Sequence, residues 1–176
     1  ETDFALNVDN ATVAQAFTLQ TSLGAIGSHK YSDKVQSIDI NDTATNVQTD
    51  FDNLKGLTKL DAIGLNDANQ VMTFSASKIL ETSSVSLFKK ITQSPYFLDA
   101  TSASMSQLTQ LYPFDNTVTD TVEPMIDSAI LPNLRNFYVL DSAANVSSSF
   151  NELIALGPNL KGLGLSSGSD LDINYA

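Results

Sequence analysis

The 176-residue sequence contains no cysteine and only one histidine, His29. Without cysteine the chain can form neither disulfides nor zinc–thiolate sites, and it has no thiol nucleophile. His29 lies in the polar stretch Gly27–Lys30, which favours a surface loop over a catalytic base. The sequence also lacks a Gly-x-Ser-x-Gly elbow, a phosphate-binding glycine loop and a His-Glu-x-x-His motif. These absences predict that the chain is not an enzyme.

Positive charge is scarce, with 9 Lys and Arg against 20 Asp and Glu. An acidic surface repels phosphate backbones and anionic lipid headgroups, so we expect no nucleic-acid partner and no binding to an anionic membrane. No apolar run reaches the roughly 18 residues needed to insert into a membrane, and no signal peptide opens the sequence. The first residue is Glu1, so we expect a fragment of a longer chain. The missing cysteine and the abundance of Ser, Thr, Asn and Asp favour an extracellular bacterial surface protein.

One sequence pattern occurs twice. Asp42–Val47 and Asp141–Val146 carry apolar residues at the same offsets, and the match extends to Leu65 and Leu165 with one residue inserted in the second copy. Three weaker copies follow the same frame. The spacing between copies, roughly 25 to 40 residues, is typical of solenoid units. The five copies are marked by Asp9, Asp42, Asp67, Asp99 and Asp141.

Each unit is predicted to be a short strand followed by a helix. Stretches of about five residues rich in Val, Ile, Phe and Tyr precede each Asp, as in strands. Apolar residues spaced by three and four follow it and predict one buried helix face, for example Met72, Ala76 and Ile79 after Asp67. All five Asp residues are predicted to be N-caps of the helices that follow them. There the carboxylate would accept hydrogen bonds from the first free helix amides.

Strand–helix units with short links predict parallel strands joined by right-handed crossovers. A doubly wound sheet and a leucine-rich-repeat-like solenoid both meet this requirement. Polar residues alternate with apolar ones in Ser37–Asn41, which favours the solenoid because doubly wound strands are apolar on both faces. We therefore predict an α/β fold in which residues 1–176 form a single repeat domain, a right-handed solenoid of parallel strands. Its units are predicted near residues 4–34, 35–59, 60–95, 96–132 and 133–159, with a partial unit at 160–176.

The repeated residues resemble a family of repeats. They are similar to the RTX-associated α/β repeats of very large bacterial proteins secreted by type I systems. Those repeats read approximately Asp-Thr-Ala-Ala-Asn-Ile, then a Leu-Asp-x-Leu helix and an Ile-Thr-Leu-Thr-Asp-like strand. The resemblance implies extracellular or cell-surface placement and an adhesive role, and it supplies no catalytic residues. The matching segments are Asp42–Val47, Phe51–Leu54, Ala62–Asp67, Ser94–Asp99, Asp141–Val146 and Phe150–Leu153.

Calcium is the one cofactor for which the residues offer ligands. Asp-rich loops can supply the oxygen atoms that calcium prefers. Asp39 with Asp42, and Asp170 with Asp172, are spaced for shared coordination, although neither pair resembles an EF-hand loop. The Gly-Gly-x-Gly-x-Asp nonapeptides that bind calcium in the associated modules are missing. We expect no cofactor, with Asp170 and Asp172 as the candidate calcium ligands if one is bound.

The predicted binding surface consists of aromatic residues on strands. Tyr96 with Phe97, and Phe137 with Tyr138, are adjacent pairs, so one of each pair should face away from the core. The expected partner is a protein or a glycan on a cell surface. The sequence thus predicts a non-catalytic binding or scaffold module, adhesin-like or surface-layer-like. A calcium-stabilised spacer and an accessory domain of a polysaccharide-active enzyme, with carboxylates as acid and base, are the alternatives.

Overall fold

The computed structural model describes residues 4–22, 34–67, 69–112, 130–168 and 170–171. Within these residues the chain forms seven strands and eight α-helices. Short 3-10 turns at Leu131–Asn133 and Gly157–Asn159 lead into the last two strands. In chain order the elements are β1 Leu6–Ala11, α1 Val13–Ser22, β2 Val35–Asp42, α2 Ala44–Thr49, α3 Phe51–Leu54, β3 Leu60–Leu65, β4 Val71–Ser75, α4 Ala76–Leu80, α5 Thr82–Phe88, β5 Phe97–Ala103, α6 Met105–Leu111, β6 Leu134–Ser142, α7 Ala143–Ser148, α8 Phe150–Leu156 and β7 Leu160–Ser167.

The strands form two sheets, with the orders β1-β2-β3 and β4-β5-β6-β7. The pairs β1–β2, β2–β3, β5–β6 and β6–β7 are all parallel. Helices connect these paired strands, as parallel pairing requires. The prediction of an α/β fold with parallel strands is therefore confirmed. The chain divides into two compact units, a first one of Glu1–Met72 with Ser86–Tyr96 and a second one of Thr73–Val85 with Phe97–Ala176.

In the first unit, β2 has one apolar face and one polar face. Val35, Ile38 and Ile40 are buried, whereas Ser37 and Asn41 on the opposite face are partly exposed. The buried face packs with apolar residues of the helices, because each helix turns its periodic apolar positions towards the sheet. This core contains Val13, Ala16, Ala44, Val47, Phe51, Leu54 and Phe88. The alternation predicted for β2 is confirmed.

The outer edge of β3 is covered by a later segment of the same unit. The Ile63 N–H donates to the Lys90 carbonyl at 2.7 Å, and Ile63 forms a parallel bridge with Ile91. The Ser94 hydroxyl donates to the Leu65 carbonyl at 2.7 Å and accepts from the Leu65 N–H at 3.2 Å. The Ile63 amide and both backbone groups of Leu65 therefore have partners on this side, as buried polar groups require.

In the second unit, the core lies between the sheet and helices α6, α7 and α8. Phe137 of β6 is completely buried, and its ring meets the Tyr112 ring edge-on with a centroid distance of 5.8 Å. Leu108 and Leu111 of α6, three residues apart, are also completely buried. The apolar spacing of three and four residues therefore identified the buried face of this helix.

The helix predicted after Asp67 is partly wrong. Met72 lies in strand β4, and helix α4 begins only at Ala76. The segment Val71–Ser75 contains Val, Thr and Phe, which favour a strand, and this local preference prevails over the helical spacing. The sequence of the longer unit near residues 96–132 also predicts an extra helix, broken by Pro113 and Pro124. Both prolines lie in residues 113–129, outside the described residues.

Candidate functional site

Five of the eight α-helices in the described residues begin at a Ser or Thr N-cap, not at an Asp. In each, the hydroxyl accepts the N–H of the residue three positions on, with donor–acceptor distances of 3.2 Å. The residue after the cap is buried in every case. The five caps are Thr12, Thr43, Ser75, Ser104 and Ser142. The prediction that the five Asp residues are the N-caps of the helices that follow them is therefore wrong.

Two of these caps carry a sequence signal that could have located them. The Gln15 side chain accepts the Thr12 N–H at 2.9 Å, and the Gln107 side chain accepts the Ser104 N–H at 3.0 Å. Ser or Thr followed three residues later by Gln is the capping-box pattern. That pattern places the first helix residue at Val13 and at Met105.

The Asp42 carboxylate instead joins three elements of the first unit. Its Oδ2 accepts the N–H of Val13, the first residue of α1, at 2.9 Å. Its Oδ1 accepts the Thr43 N–H at 2.8 Å and the Asn46 side-chain amide at 2.7 Å. Asp42 thus fixes the start of the preceding helix α1 to the end of β2 and to α2. Asp42 therefore accepts a free helix amide, as predicted, but the helix concerned is the preceding one, α1.

Asp141 makes the same three contacts in the second unit. Its Oδ2 accepts the Met105 N–H, at the start of α6, at 2.8 Å. Its Oδ1 accepts the Ser142 N–H at 2.7 Å and the Asn145 side-chain amide at 2.8 Å. The identical set of partners explains why Asp and Asn occur four residues apart in both sequence copies.

The other three Asp residues have different environments. The Asp67 Oδ1 accepts the N–H of Ala44 at 2.8 Å, so Asp67 also serves an earlier helix, α2. The Asp99 Oδ1 accepts the Asn136 side-chain amide at 2.8 Å across strands β5 and β6. Asp9 lies exposed within β1. Asp67 thus shares with Asp42 and Asp141 the bond to the first amide of the preceding helix. The weaker sequence matches placed Asp99 and Asp9 in a frame that the structure does not give them.

The pKa values of Asp42 and Asp141 are both shifted by these surroundings. Burial on its own raises the pKa of each carboxyl. Hydrogen bonds from two backbone amides and one Asn side chain stabilise the charged form, outweigh burial, and lower both pKa values below the ordinary 3.8. Both groups are therefore held as carboxylates, which suits an acceptor of helix amides.

This shift predicts a pH dependence of stability. Because the folded pKa of Asp42 is the lower one, its carboxylate stabilises the fold above the unfolded pKa, and this stabilisation is lost as the pH falls through the folded pKa. We expect Asp42→Asn to lower the free energy of unfolding most near about pH 6, and the difference from wild type to shrink below about pH 4. Urea unfolding at several pH values measures this. The control Asp9→Asn, at an exposed position, should change the free energy of unfolding little. If Asp42→Asn lowered the free energy of unfolding as much below about pH 4 as near about pH 6, the expected loss of the carboxylate's contribution would be contradicted.

The outer face of the first sheet, opposite its core, is polar. The Ser37 hydroxyl donates to Asn7 Oδ1 at 3.0 Å, and the Asn41 side-chain amide donates to Asn10 Oδ1 at 3.3 Å. Asp39 lies between Ser37 and Asn41 on the same face. We call Asn7, Ser37, Asp39 and Asn41 the polar outer face.

The corresponding face of the second sheet carries aromatic and apolar side chains beside the hydrogen-bonded pair Asp99–Asn136. Tyr138 and Leu140 of β6 are 40% and 45% exposed, and Phe97 of β5 is partly exposed with the Arg135 guanidinium 5.2 Å from its ring centroid. We call Phe97, Tyr138 and Leu140 the aromatic outer face. In the duplicated sequence, Tyr138 and Leu140 occupy the positions of Asp39 and Asn41. Two polar residues of one unit thus correspond to two apolar ones in the other.

Glycines of β7 lie beneath these two side chains. Gly162 pairs with Tyr138 and Gly164 with Leu140. A β-carbon at Gly162 would lie 3.0 Å from Tyr138 Cδ1, and one at Gly164 would lie 3.1 Å from Leu140 Cδ1. Both distances are shorter than ordinary van der Waals contact, so the glycines allow the two side chains to rest directly on the strand. One side of the Tyr138 ring therefore contacts Gly162 of β7, and the residue remains 40% exposed to solvent.

Of the four aromatic residues predicted to form a binding surface, two are buried. Tyr96 is buried, its hydroxyl donates to the Phe88 carbonyl at 3.4 Å, and its ring stacks with that of Phe88. Phe137 is buried in the core of the second unit. Both are packing residues and are wrong as binding-surface residues. Phe97 and Tyr138 face outward, as the alternation along a strand requires.

No metal centre is formed by the residues described. Asp39 lies on the outer face of β2 and Asp42 on its buried side, so these two carboxylates cannot share a cation. Asp170 is exposed, and its predicted partner Asp172 lies outside the described residues, as does His29. No group of three or more His, Asp or Glu side chains is close enough to hold a metal ion in the described ranges.

A shallow groove of about 370 Å³ lies in the first unit. Its polar groups are largely paired with one another. Gln20 donates to the Gly56 carbonyl at 3.1 Å and accepts the Thr58 N–H at 3.2 Å, and Asn53 donates to Asp50 at 3.0 Å. The groove therefore offers few free polar groups to orient a small ligand. Its lining residues are Phe17, Gln20, Asp50, Asn53, Gly56 and Leu57.

Comparison with family models, characterised proteins and solved structures found no match to this chain. Among the described helices, none is both long and apolar enough to pass through a bilayer. The candidate site therefore follows from the chain's own geometry, and the aromatic outer face is its most distinctive surface.

Proposed function

We propose that this chain is a non-catalytic binding module of a secreted or cell-surface bacterial protein, and that the aromatic outer face is its recognition surface. The proposal rests on one difference between the two sequence copies. Asp39 and Asn41 of the first copy are replaced by Tyr138 and Leu140 at the matching positions of the second copy. Packing does not require this exchange, because the polar pair occupies the same strand positions in the first unit. Exposed aromatic side chains are enriched where proteins bind partners.

The contacts repeated at the helix starts support an α/β solenoid as the architecture. Five helix starts share a Ser or Thr cap and a buried next residue, and Asp42 and Asp141 have identical partners. A duplicated strand–helix unit explains these repeated contacts. In such solenoids the strand faces commonly serve as extended binding surfaces.

A non-catalytic role is supported by the carboxylates. Asp42 and Asp141 have lowered pKa values and are held by backbone amides. A general acid for glycoside cleavage needs the opposite shift, towards neutral pH. The cysteine-free, acidic composition and the resemblance to type I-secreted repeats support an extracellular placement.

The proposal is tested by cell-surface binding of matched variants. Fluorescently labelled chain is added to whole bacterial cells, and bound label is measured for wild type, Tyr138→Ser with Leu140→Ser, and the control Asp39→Ser with Asn41→Ser. We expect the first double variant to bind at least about tenfold more weakly, and the control to bind like wild type. Circular dichroism and urea unfolding check that both variants fold.

Enzymatic or chemical treatment of the cells before the binding measurement identifies the chemical class of the partner. Periodate destroys glycan diols and proteinase K removes surface protein, so the treatment that abolishes binding identifies the partner class. Absence of wild-type binding to any cells, or equal loss in both double variants, would overturn the proposed recognition surface.

A further inference from the structure

Asp99 and Asn136 form a polar pair within the face that carries the exposed aromatic residues. They are register partners on β5 and β6, and the Asn136 side-chain amide donates to Asp99 Oδ1 at 2.8 Å. Both residues are partly exposed. Among the residues that the structure describes, Asp99 Oδ2 and Asn136 Oδ1 accept no further side-chain or backbone donor. The polar pair therefore leaves two oxygen acceptors available for a ligand.

The two rings of the aromatic outer face lie on opposite sides of the polar pair. Phe97 precedes Asp99 by two residues on β5, and Tyr138 follows Asn136 by two residues on β6. Residues two apart on a strand share a face, so the order along the two parallel strands is ring, polar pair, ring. At about 3.3 Å per residue, the two ring positions are about 13 Å apart along strands that lie about 4.8 Å from each other.

The charges around the polar pair favour a ligand without net charge. The Asp99 carboxylate is negative, and the Arg135 guanidinium, 5.2 Å from the Phe97 ring centroid, is positive. A polycation would gain one carboxylate but would also meet Arg135. At longer range the net charge of −11 repels polyanions.

A carboxylate between the two rings distinguishes this face from the centre of a protein–protein interface. Such centres are depleted of charged residues, Asp included. Covering Asp99 with apolar protein surface would cost free energy, because a carboxylate removed from water needs hydrogen-bond donors. Hydroxyl groups are such donors. A sugar ring combines hydroxyl groups with apolar C–H groups that can lie against an aromatic ring, so a glycan offers both kinds of contact.

We propose that this face binds an uncharged, linear oligosaccharide that reaches from Phe97 to Tyr138, with its hydroxyl groups hydrogen-bonded to Asp99 and Asn136. This ligand class rests on the proposed function, since it belongs to the same recognition surface. The span of about 13 Å exceeds one sugar ring, so only a chain of sugars contacts both aromatic residues. Hydrogen bonds to a carboxylate are charge-assisted and stronger than those between neutral groups. Asp99 is therefore expected to contribute most of the polar recognition.

Affinity electrophoresis tests the ligand class. The chain migrates in native gels that contain dextran, mannan, soluble starch or the uncharged polysaccharide extracted from cells that bind it, and in gels that contain the polyanion alginate. We expect at least one uncharged polysaccharide to retard the wild type, and alginate to leave its mobility unchanged. Asp99→Ala and Phe97→Ser should each weaken binding at least about tenfold.

Two further variants separate recognition from charge and from folding. Asp61→Ala also removes one exposed carboxylate, from the first unit, and should be retarded like wild type. Asp99→Asn keeps the shape of the side chain and loses only its charge, so weaker binding by this variant cannot result from a lost fold. Circular dichroism and urea unfolding check every variant, and mobility is always compared with that in a gel without polysaccharide.

Binding to whole cells distinguishes this ligand class from the recognition surface itself. Binding that periodate abolishes, and that Asp99→Ala loses but Asp61→Ala retains, would support the oligosaccharide. Binding that proteinase K abolishes and periodate does not, or the absence of retardation in every uncharged gel, would overturn the ligand class and leave the recognition surface in place. Equal retardation of wild type and Asp99→Ala would overturn the role of the polar pair. Absence of binding to any cells would overturn the recognition surface.

Discussion

Phe137→Ala is expected to lower the free energy of unfolding of the second unit by about 3–5 kcal/mol. Phe137 is completely buried and contacts the Tyr112 ring edge-on. Removing the ring loses its transfer free energy and leaves a cavity, because the surrounding β6 and α6 side chains can relax only in part. Urea unfolding followed by circular dichroism measures the change in midpoint.

The neighbouring residue provides the matched control. Tyr138→Ala removes a ring of similar size, but this ring is 40% exposed and rests on Gly162. We expect a loss below about 1 kcal/mol, within the usual range for a surface position. Equal destabilisation by both substitutions would contradict the assignment of Phe137 to the core and Tyr138 to the recognition surface. A stable Tyr138 variant also makes its binding defect interpretable.

Asp42→Ala is expected to lower the free energy of unfolding by about 2–4 kcal/mol. It leaves the Val13 and Thr43 amides and the Asn46 side chain without their carboxylate acceptor. A buried amide without a partner retains its desolvation cost. Urea unfolding measures the total effect, and faster hydrogen exchange at the Val13 amide reports the loss of the long-range bond specifically.

The chain contains controls for this prediction as well. Asp141→Ala should cost a similar amount, because its three partners are of the same kind. Asp9→Ala should change stability by no more than about 0.5 kcal/mol, since Asp9 is exposed. Thr43→Ala removes a local N-cap only and should cost about 1 kcal/mol. An Asp42→Ala loss no larger than that of Thr43→Ala, with unchanged exchange at Val13, would show that Asp42 acts only locally.

The fold class was predictable because it rests on local patterns. The alternation in Ser37–Asn41 identifies a strand with one buried face, and the short strand expected before Asp67 is β3, Leu60–Leu65. Asp42 and Asp141 were correctly placed at junctions between strands and helices. Their main partners were not predictable, because Val13 and Met105 precede them by 29 and 36 residues. A local capping rule contains no information about a neighbouring helix.

The candidate site was predictable only to the level of alternation. Adjacent aromatic residues on a strand must face opposite ways, but the pattern does not say which one faces the core. Tyr96 and Phe137 face inward because Phe88 and Tyr112 offer them ring contacts. The support beneath Tyr138 depends on the register that pairs it with Gly162. Register between parallel strands is decided by packing over the whole sheet.

The position of Asp42 also bears on the order in which the chain can assemble. Helix α1 is synthesised first, yet the acceptor for its first amide arrives with the end of β2, 29 residues later. A similar delay separates α2 from Asp67 and α6 from Asp141. In each case the first amide of the helix receives its acceptor from a segment that follows the helix in the sequence. During synthesis the first turn of each of these helices therefore remains frayed until the next strand has docked.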